Sequence, residues 1–76
     1  MSVEIIPVGL LKRYVQSDEL PIRQDAAGKT IAALLNELGL PPSVVAIALV
    51  NGRQVEKSYT LADGDIVKLV PIVGGG

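Results

Sequence analysis

The sequence predicts an α+β fold in which one short helix covers one face of a mixed sheet of four to five strands. Three observations point there. A single amphipathic stripe, Ile31, Leu34, Leu35 and Leu38, has helical spacing. Segments rich in β-branched residues flank it on both sides. Two tight-turn signals, Asn51-Gly52 and Asp63-Gly64, punctuate the second half.

In chain order, Val3–Val8 reads as a strand. Pro7 cannot donate to a ladder, so it belongs near the strand's end or on a side without a partner. Gly9 loosens the chain, and Leu10–Val15 is ambiguous. Glu19–Gln24 alternates as a second strand with Leu20 and Ile22 inward, after a polar turn at Gln16-Ser17-Asp18. Thr30 is a good N-cap for the helix, Gly39 suits its left-handed C-terminal position, and Pro41-Pro42 forbids continuation. Val44–Val50 is a continuous apolar run that fits a strand buried or part-buried on both faces. Asn51-Gly52 turns it into a returning strand at Arg53–Val55. Ile66–Val70 is the last strand. Lys68 faces water with Ile66 and Val70 on its side, and Val67 and Leu69 face the core. Pro71 should stop the strand close to its own position.

The chain has 76 residues, which bounds it to one small domain of modest stability. About half of the residues are apolar (49%), too many for a disordered chain. Its composition excludes much chemistry. There is no Cys and no His, hence no thiol nucleophile, no imidazole base, no ordinary zinc site and no thiolate-held cluster. Seven basic against eight acidic residues argue against a nucleic-acid surface, and two tyrosines do not build a stacking platform. Val44–Val50 is far too short for a membrane span, and no early basic cluster marks a secretory signal. A chain without cysteine fits the cytoplasm.

Side-chain chemistry offers little more. Asp63 and Asp65, two apart on a turn, read as turn formers. Gly28-Lys29-Thr30 has the tail of a phosphate loop, but Arg23 stands where the motif's first glycine belongs and no strand leads into it. No metal or cofactor site is expected. What remains is the end, Ile72-Val73-Gly74-Gly75-Gly76, which extended reaches roughly 17 Å. It reads either as a frayed tail or as a projecting arm whose α-carboxylate is the one reactive group of the chain.

The residues that carry a resemblance are Thr30-Ile31-Ala32-Ala33-Leu34-Leu35, Leu38-Gly39-Leu40-Pro41, Val50-Asn51-Gly52-Arg53, Leu61-Ala62-Asp63-Gly64-Asp65 and Pro71-Ile72-Val73-Gly74-Gly75-Gly76. In this order the chain resembles the β-grasp, ubiquitin-like sulfur carriers of the MoaD/ThiS family over essentially its whole length. The familiar ending is Pro-Pro-Val-Ala-Gly-Gly; Ile72 and Gly74 replace the second Pro and the Ala. The resemblance implies a β-grasp domain over 1–71 and a flexible tail over 72–76 ending in the diglycine Gly75-Gly76.

It further implies that an E1-like enzyme uses ATP and Mg²⁺ to adenylate the Gly76 carboxylate. A sulfur donor protein then leaves a thiocarboxylate there, and the carrier delivers sulfur to a synthase large subunit or another sulfur-accepting enzyme. The carrier would be a co-substrate, or a non-catalytic synthase subunit, rather than an enzyme. The Pro71-Ile72-Val73 approach is closer to the molybdopterin synthase small subunit than to thiamine carriers. Partner contacts are expected at Ile66, Lys68, Val70, Pro71, Ile72, Val73 and Gly74, with Ala46, Ala48 and Val50 on the neighbouring strand, unless Leu10–Val15 folds over that face. The alternatives are a ubiquitin-like modifier joined to lysines through Gly76 and a non-covalent interaction domain.

Overall fold

The computed structural model describes residues 2–13 and 22–72. Five strands form one sheet: β1 (Val3–Pro7), β2 (Ile22–Gln24), β3 (Val45–Val50), β4 (Arg53–Val55) and β5 (Ile66–Pro71), in the spatial order β2-β1-β5-β3-β4. The central pair β1–β5 is parallel, and every other pairing is antiparallel. One helix, α1 (Ile31–Leu38), packs on one face. The second strand expected over 19–24 is seen from Ile22 onward; its earlier residues, including Leu20, and the turn at 16–18 lie outside the described residues.

Local chemistry explains the element ends. Thr30 Oγ1 accepts from the Ala33 N–H at 3.2 Å, and Gly39 adopts φ 74° while its N–H returns to Asn36 O. Pro7 ends β1. The Glu4 N–H donates to Asp65 O and the Val8 N–H to Leu69 O, so the amides in phase with them face β5. The donor that Pro7 lacks therefore falls on the β2 side, past the last described pair Ile5↔Ile22.

Between helix and sheet lie Val3, Ile5, Ile31, Leu34, Leu35, Val45, Ala48, Val50, Val67 and Leu69, all buried. Of the ambiguous segment Leu10–Val15, Tyr14 and Val15 lie outside the described residues, and the described part belongs to a 3₁₀ turn at Gly9–Arg13 that places Leu11 in this same core. It leaves Leu10 exposed and does not use Leu11 to cover the opposite face of the sheet.

β5 stops at Pro71, as expected, one residue beyond Ile66–Val70: Pro71 is its last residue, buried and paired with Val45. A proline can occupy a strand's final position, where no further ladder bond is required of its nitrogen. One expectation, on β3, is corrected. Ala48 and Val50 do not join Ile66, Lys68 and Val70 on the outer face but lie in the core. A register shift between Val45 and Ile47 leaves Ala46 as an extra residue, and the bulge reverses the inward–outward alternation beyond it.

Candidate functional site

The site is built on β5 and its exit. Side chains directly opposite in a ladder share a face, so the pairs Glu4↔Ile66, Ile6↔Lys68, Leu49↔Lys68 and Ile47↔Val70 place these seven residues together on the surface away from α1. Ile66 is 45% exposed, Lys68 is exposed, and Val70, Ile6, Ile47 and Leu49 are half-buried. Ile6 and Leu49 flank Lys68 from the two neighbouring strands, so its aliphatic stem crosses apolar ground while the ammonium stays in water. A shallow depression of about 320 Å³ lies here, lined by Ile6, Leu49, Asn51, Gly52, Ile66 and Lys68. On the rim toward β2, Glu4 and the exposed Arg23 approach to 3.6 Å.

Of the expected partner residues, Ile66, Lys68 and Val70 share this face, and Ile72 follows in line, 56% exposed. Pro71 instead points inward, where a Cβ on Gly9 would meet its Cγ at 3.5 Å. Ile72 supplies the final described anchor, its N–H donating to Val44 O at 3.1 Å. Val73, Gly74, Gly75 and Gly76 lie outside the described residues. Sequence reasoning missed Ile6, Ile47 and Leu49. Seven consecutive apolar residues at Val44–Val50 carry no polar residue to mark which side faces out.

A polar latch closes one end of the face. The Asn51 Nδ2 donates to Asp65 Oδ1 at 2.9 Å, and the Ile66 N–H donates to Asn51 Oδ1 at 2.9 Å. The second carboxylate oxygen, Asp65 Oδ2, accepts from the Ala62 N–H at 2.8 Å. Asp65 is only 7% exposed, and these bonds satisfy it.

The Gly28-Lys29-Thr30 triplet is structural. Lys29 Nζ pairs with Glu37 Oε1 at 2.8 Å. The first amides of α1 are all occupied: Ile31 N–H by Tyr59 O, Ala32 N–H by Lys57 O, Ala33 N–H by Thr30 Oγ1 and Leu34 N–H by Thr30 O. No free donor set is left there to cradle a phosphate. Among the described residues, no group of three or more acidic side chains could hold a metal ion, and no helix is long and apolar enough to cross a membrane. What the face can offer is apolar contact around one ammonium, leading toward the tail.

Known proteins give this arrangement a context. The crystal structure of SAMP1 from Haloferax volcanii superposes with a TM-score of 0.71 at 24% identity, covering all of both chains. The solution structure of the Haloferax volcanii HVO 2177 protein gives a TM-score of 0.71 at 26% identity, covering all of this chain and 87% of that one. No curated protein sequence matches significantly. These likenesses make the fold a β-grasp. The ThiS family model matches residues 12–76, through the last glycine, and the chain belongs to the ThiS family.

Proposed function

We propose that this ubiquitin-like protein, a carrier or modifier rather than a catalyst, is a sulfur carrier whose working group is the carboxyl group of Gly76. An E1-like enzyme adenylates it: a carboxylate oxygen attacks the α-phosphate of ATP, with Mg²⁺ held by that enzyme, and pyrophosphate leaves. The terminal sulfur of a persulfide on a donor protein then forms a C–S bond at the acyl carbon and AMP departs with the original oxygen. A second thiol of the partner enzymes attacks the donor's sulfur, breaks the S–S bond of the acyl disulfide, leaves as a disulfide with the donor and so frees the acyl sulfur. The resulting thiocarboxylate passes sulfur to a cofactor precursor on a synthase large subunit or similar acceptor. Of the sulfur-requiring cofactors, the Pro71-Ile72-Val73 approach favours molybdopterin over thiamine. The setting that suits these partners is the cytoplasm.

The observation that carries this reading is the family match running through residue 76, so that Gly75-Gly76 fall inside the matched span. The physical chemistry agrees. A sequence without cysteine has no thiol on which sulfur could ride, and the acyl end takes that role. Glycines without β-carbons allow the backbone to pass close to the walls of a narrow site. Threading 72–76 into such a site costs about 1–2 kcal/mol per residue ordered. Docking of the face around Ile66, Lys68 and Val70, with Ile72 leading in, offsets that cost.

The test is intact-mass analysis after incubation with an E1-like enzyme, ATP, Mg²⁺ and a sulfur donor. The sulfur-carrier reading expects exchange of one oxygen for one sulfur, localised to Gly76. Isopeptide adducts to lysines without that exchange would instead make the chain a modifier. Unchanged mass together with full cellular activity of a chain lacking Gly75-Gly76 would make it a non-covalent interaction domain.

A further inference from the structure

We infer that Asn51 is a site of covalent ageing by deamidation, and that its hydrogen-bond latch to Asp65 and Ile66 sets the rate. The inference is independent of the sulfur-carrier reading. Asn51 is followed by Gly52, whose nitrogen carries no neighbouring Cβ to shield it, and both lie in an exposed two-residue turn. Their φ values of 53° and 84° are those of a tight hairpin turn. The reaction open to this pair is intramolecular. The Gly52 nitrogen, giving its proton to hydroxide, attacks Asn51 Cγ. A C–N bond forms, the Cγ–Nδ2 bond breaks, and ammonia leaves after taking a proton from water. Water then opens the cyclic imide at either carbonyl, giving aspartate or isoaspartate at position 51.

The folded protein resists this reaction because both ends of the carboxamide are held. Nδ2, the leaving group, donates to Asp65 Oδ1, and Oδ1 accepts from the Ile66 N–H, each at 2.9 Å. Rotating Cγ toward the Gly52 nitrogen breaks both bonds at once. Asp65 is itself fixed by the Ala62 N–H and nearly buried, so it does not follow. Breaking two such bonds should slow the folded-state reaction roughly tenfold or more.

Once the reaction occurs, the latch does not re-form. A carboxylate at position 51 has no proton to donate and faces the Asp65 carboxylate at the former hydrogen-bond distance. Isoaspartate also adds a backbone methylene inside the two-residue turn, which disturbs the Val50↔Arg53 register. Because Asn51 and Gly52 line the depression beside Ile66 and Lys68, the damage falls on the outer face.

The experiment incubates the full chain at mildly alkaline pH and follows Asn51 deamidation by peptide mapping with isoaspartate detection. Wild type is compared folded and in denaturant, and Asp65→Ala with Leu61→Ala, at temperatures where circular dichroism shows each equally folded. The Leu61→Ala variant truncates a core side chain and removes no donor or acceptor of the latch. Slow conversion in folded wild type, with Asp65→Ala roughly tenfold faster than Leu61→Ala, supports the inference. Equal wild-type rates folded and in denaturant overturn it, as do equal rates in the two variants. If Asp65→Ala does not fold, Asp65→Asn takes its place: it removes the charge from the acceptor of Asn51 Nδ2 and should also deamidate faster than Leu61→Ala, and equal rates overturn the inference.

Discussion

Val70 stands directly opposite Ile47, although one residue further along β5 Pro71 stands opposite Val45. Between these pairs β5 advances by one residue and β3 by two. Ala46 is the surplus, and it reverses which side chains of β3 enter the core. Val45, Ala48 and Val50 are buried despite lacking a common alternation, while Ile47 and Leu49 are sent to the outer face beside Lys68.

The bulge predicts opposite fates for two neighbouring alanines. Ala48→Asp places a carboxylate in the core with no partner and should cost roughly 3 kcal/mol or more. Ala46→Asp, at an exposed position, should stay within about 0.5 kcal/mol of wild type. Urea unfolding of both variants checks this, and equal effects would remove the bulge from the account.

The helix caps give a second prediction. Thr30→Ala removes the acceptor for the Ala33 N–H and should cost about 1 kcal/mol. Gly39→Ala forces a Cβ into the left-handed region and should also cost about 1 kcal/mol, although nothing lies within 4 Å of the added atom. Because the two sites lie at opposite ends of α1 and share no partner, the double variant should be additive in thermal or urea melts.

These caps also show what was legible in the sequence. Thr30, Gly39, Lys68 and Asn51-Gly52 each carry a local constraint, such as a cap, a positive φ or a charge that refuses burial. From them the helix, the β3–β4 turn and the phase of β5 could be read. β3 was legible as a strand and illegible in phase, because nothing polar interrupts Val44–Val50. The Asn51–Asp65 latch joins residues fourteen apart. Each read alone as a turn former, and only the sheet order brings them together. Pro71 against Gly9 is likewise a contact that no local pattern encodes. As for the site, Ile66, Lys68 and Val70 followed from the alternation of β5, whereas Ile6, Ile47 and Leu49 needed the ladder.

Lys29 supplies a control for the nucleotide question. Its ion pair with Glu37 lies at the surface with both side chains more than a third exposed, so Lys29→Ala should change stability by about 0.5 kcal/mol or less. With the first amides of α1 already occupied, the isolated chain should show no ATP binding by calorimetry. Activation by an E1-like enzyme should be unaffected by the same substitution. Loss of nucleotide binding on this change would restore the phosphate-loop reading of Gly28-Lys29-Thr30.

On the proposed function, the outer face should act in recognition and not in stability. Ile66→Asp replaces a half-exposed side chain and Lys68→Glu an exposed one, and neither residue holds the core. Both should unfold within about 0.5 kcal/mol of wild type. Each should raise KM for the activating enzyme while leaving kcat near wild type, because docking precedes chemistry at Gly76. An unchanged KM would place the docking surface elsewhere.

The tail gives the last prediction. The final described backbone anchor is the Ile72 N–H on Val44 O, and Gly75 lies three residues beyond it. On the proposed function, Gly75→Val should abolish conversion of the Gly76 carboxyl group, because a branched Cβ would meet the walls of a narrow activating site, and a thermal melt beside the activation assay separates this from a loss of folding. Gly75→Ala should be intermediate. Val70→Asp provides the contrast: it sits on the ladder, half-buried opposite Ile47, and should lower both stability and activation. If Gly75→Val is activated as well as wild type, the tail does not thread a narrow site, and the carboxylate loses its claim to be the working group.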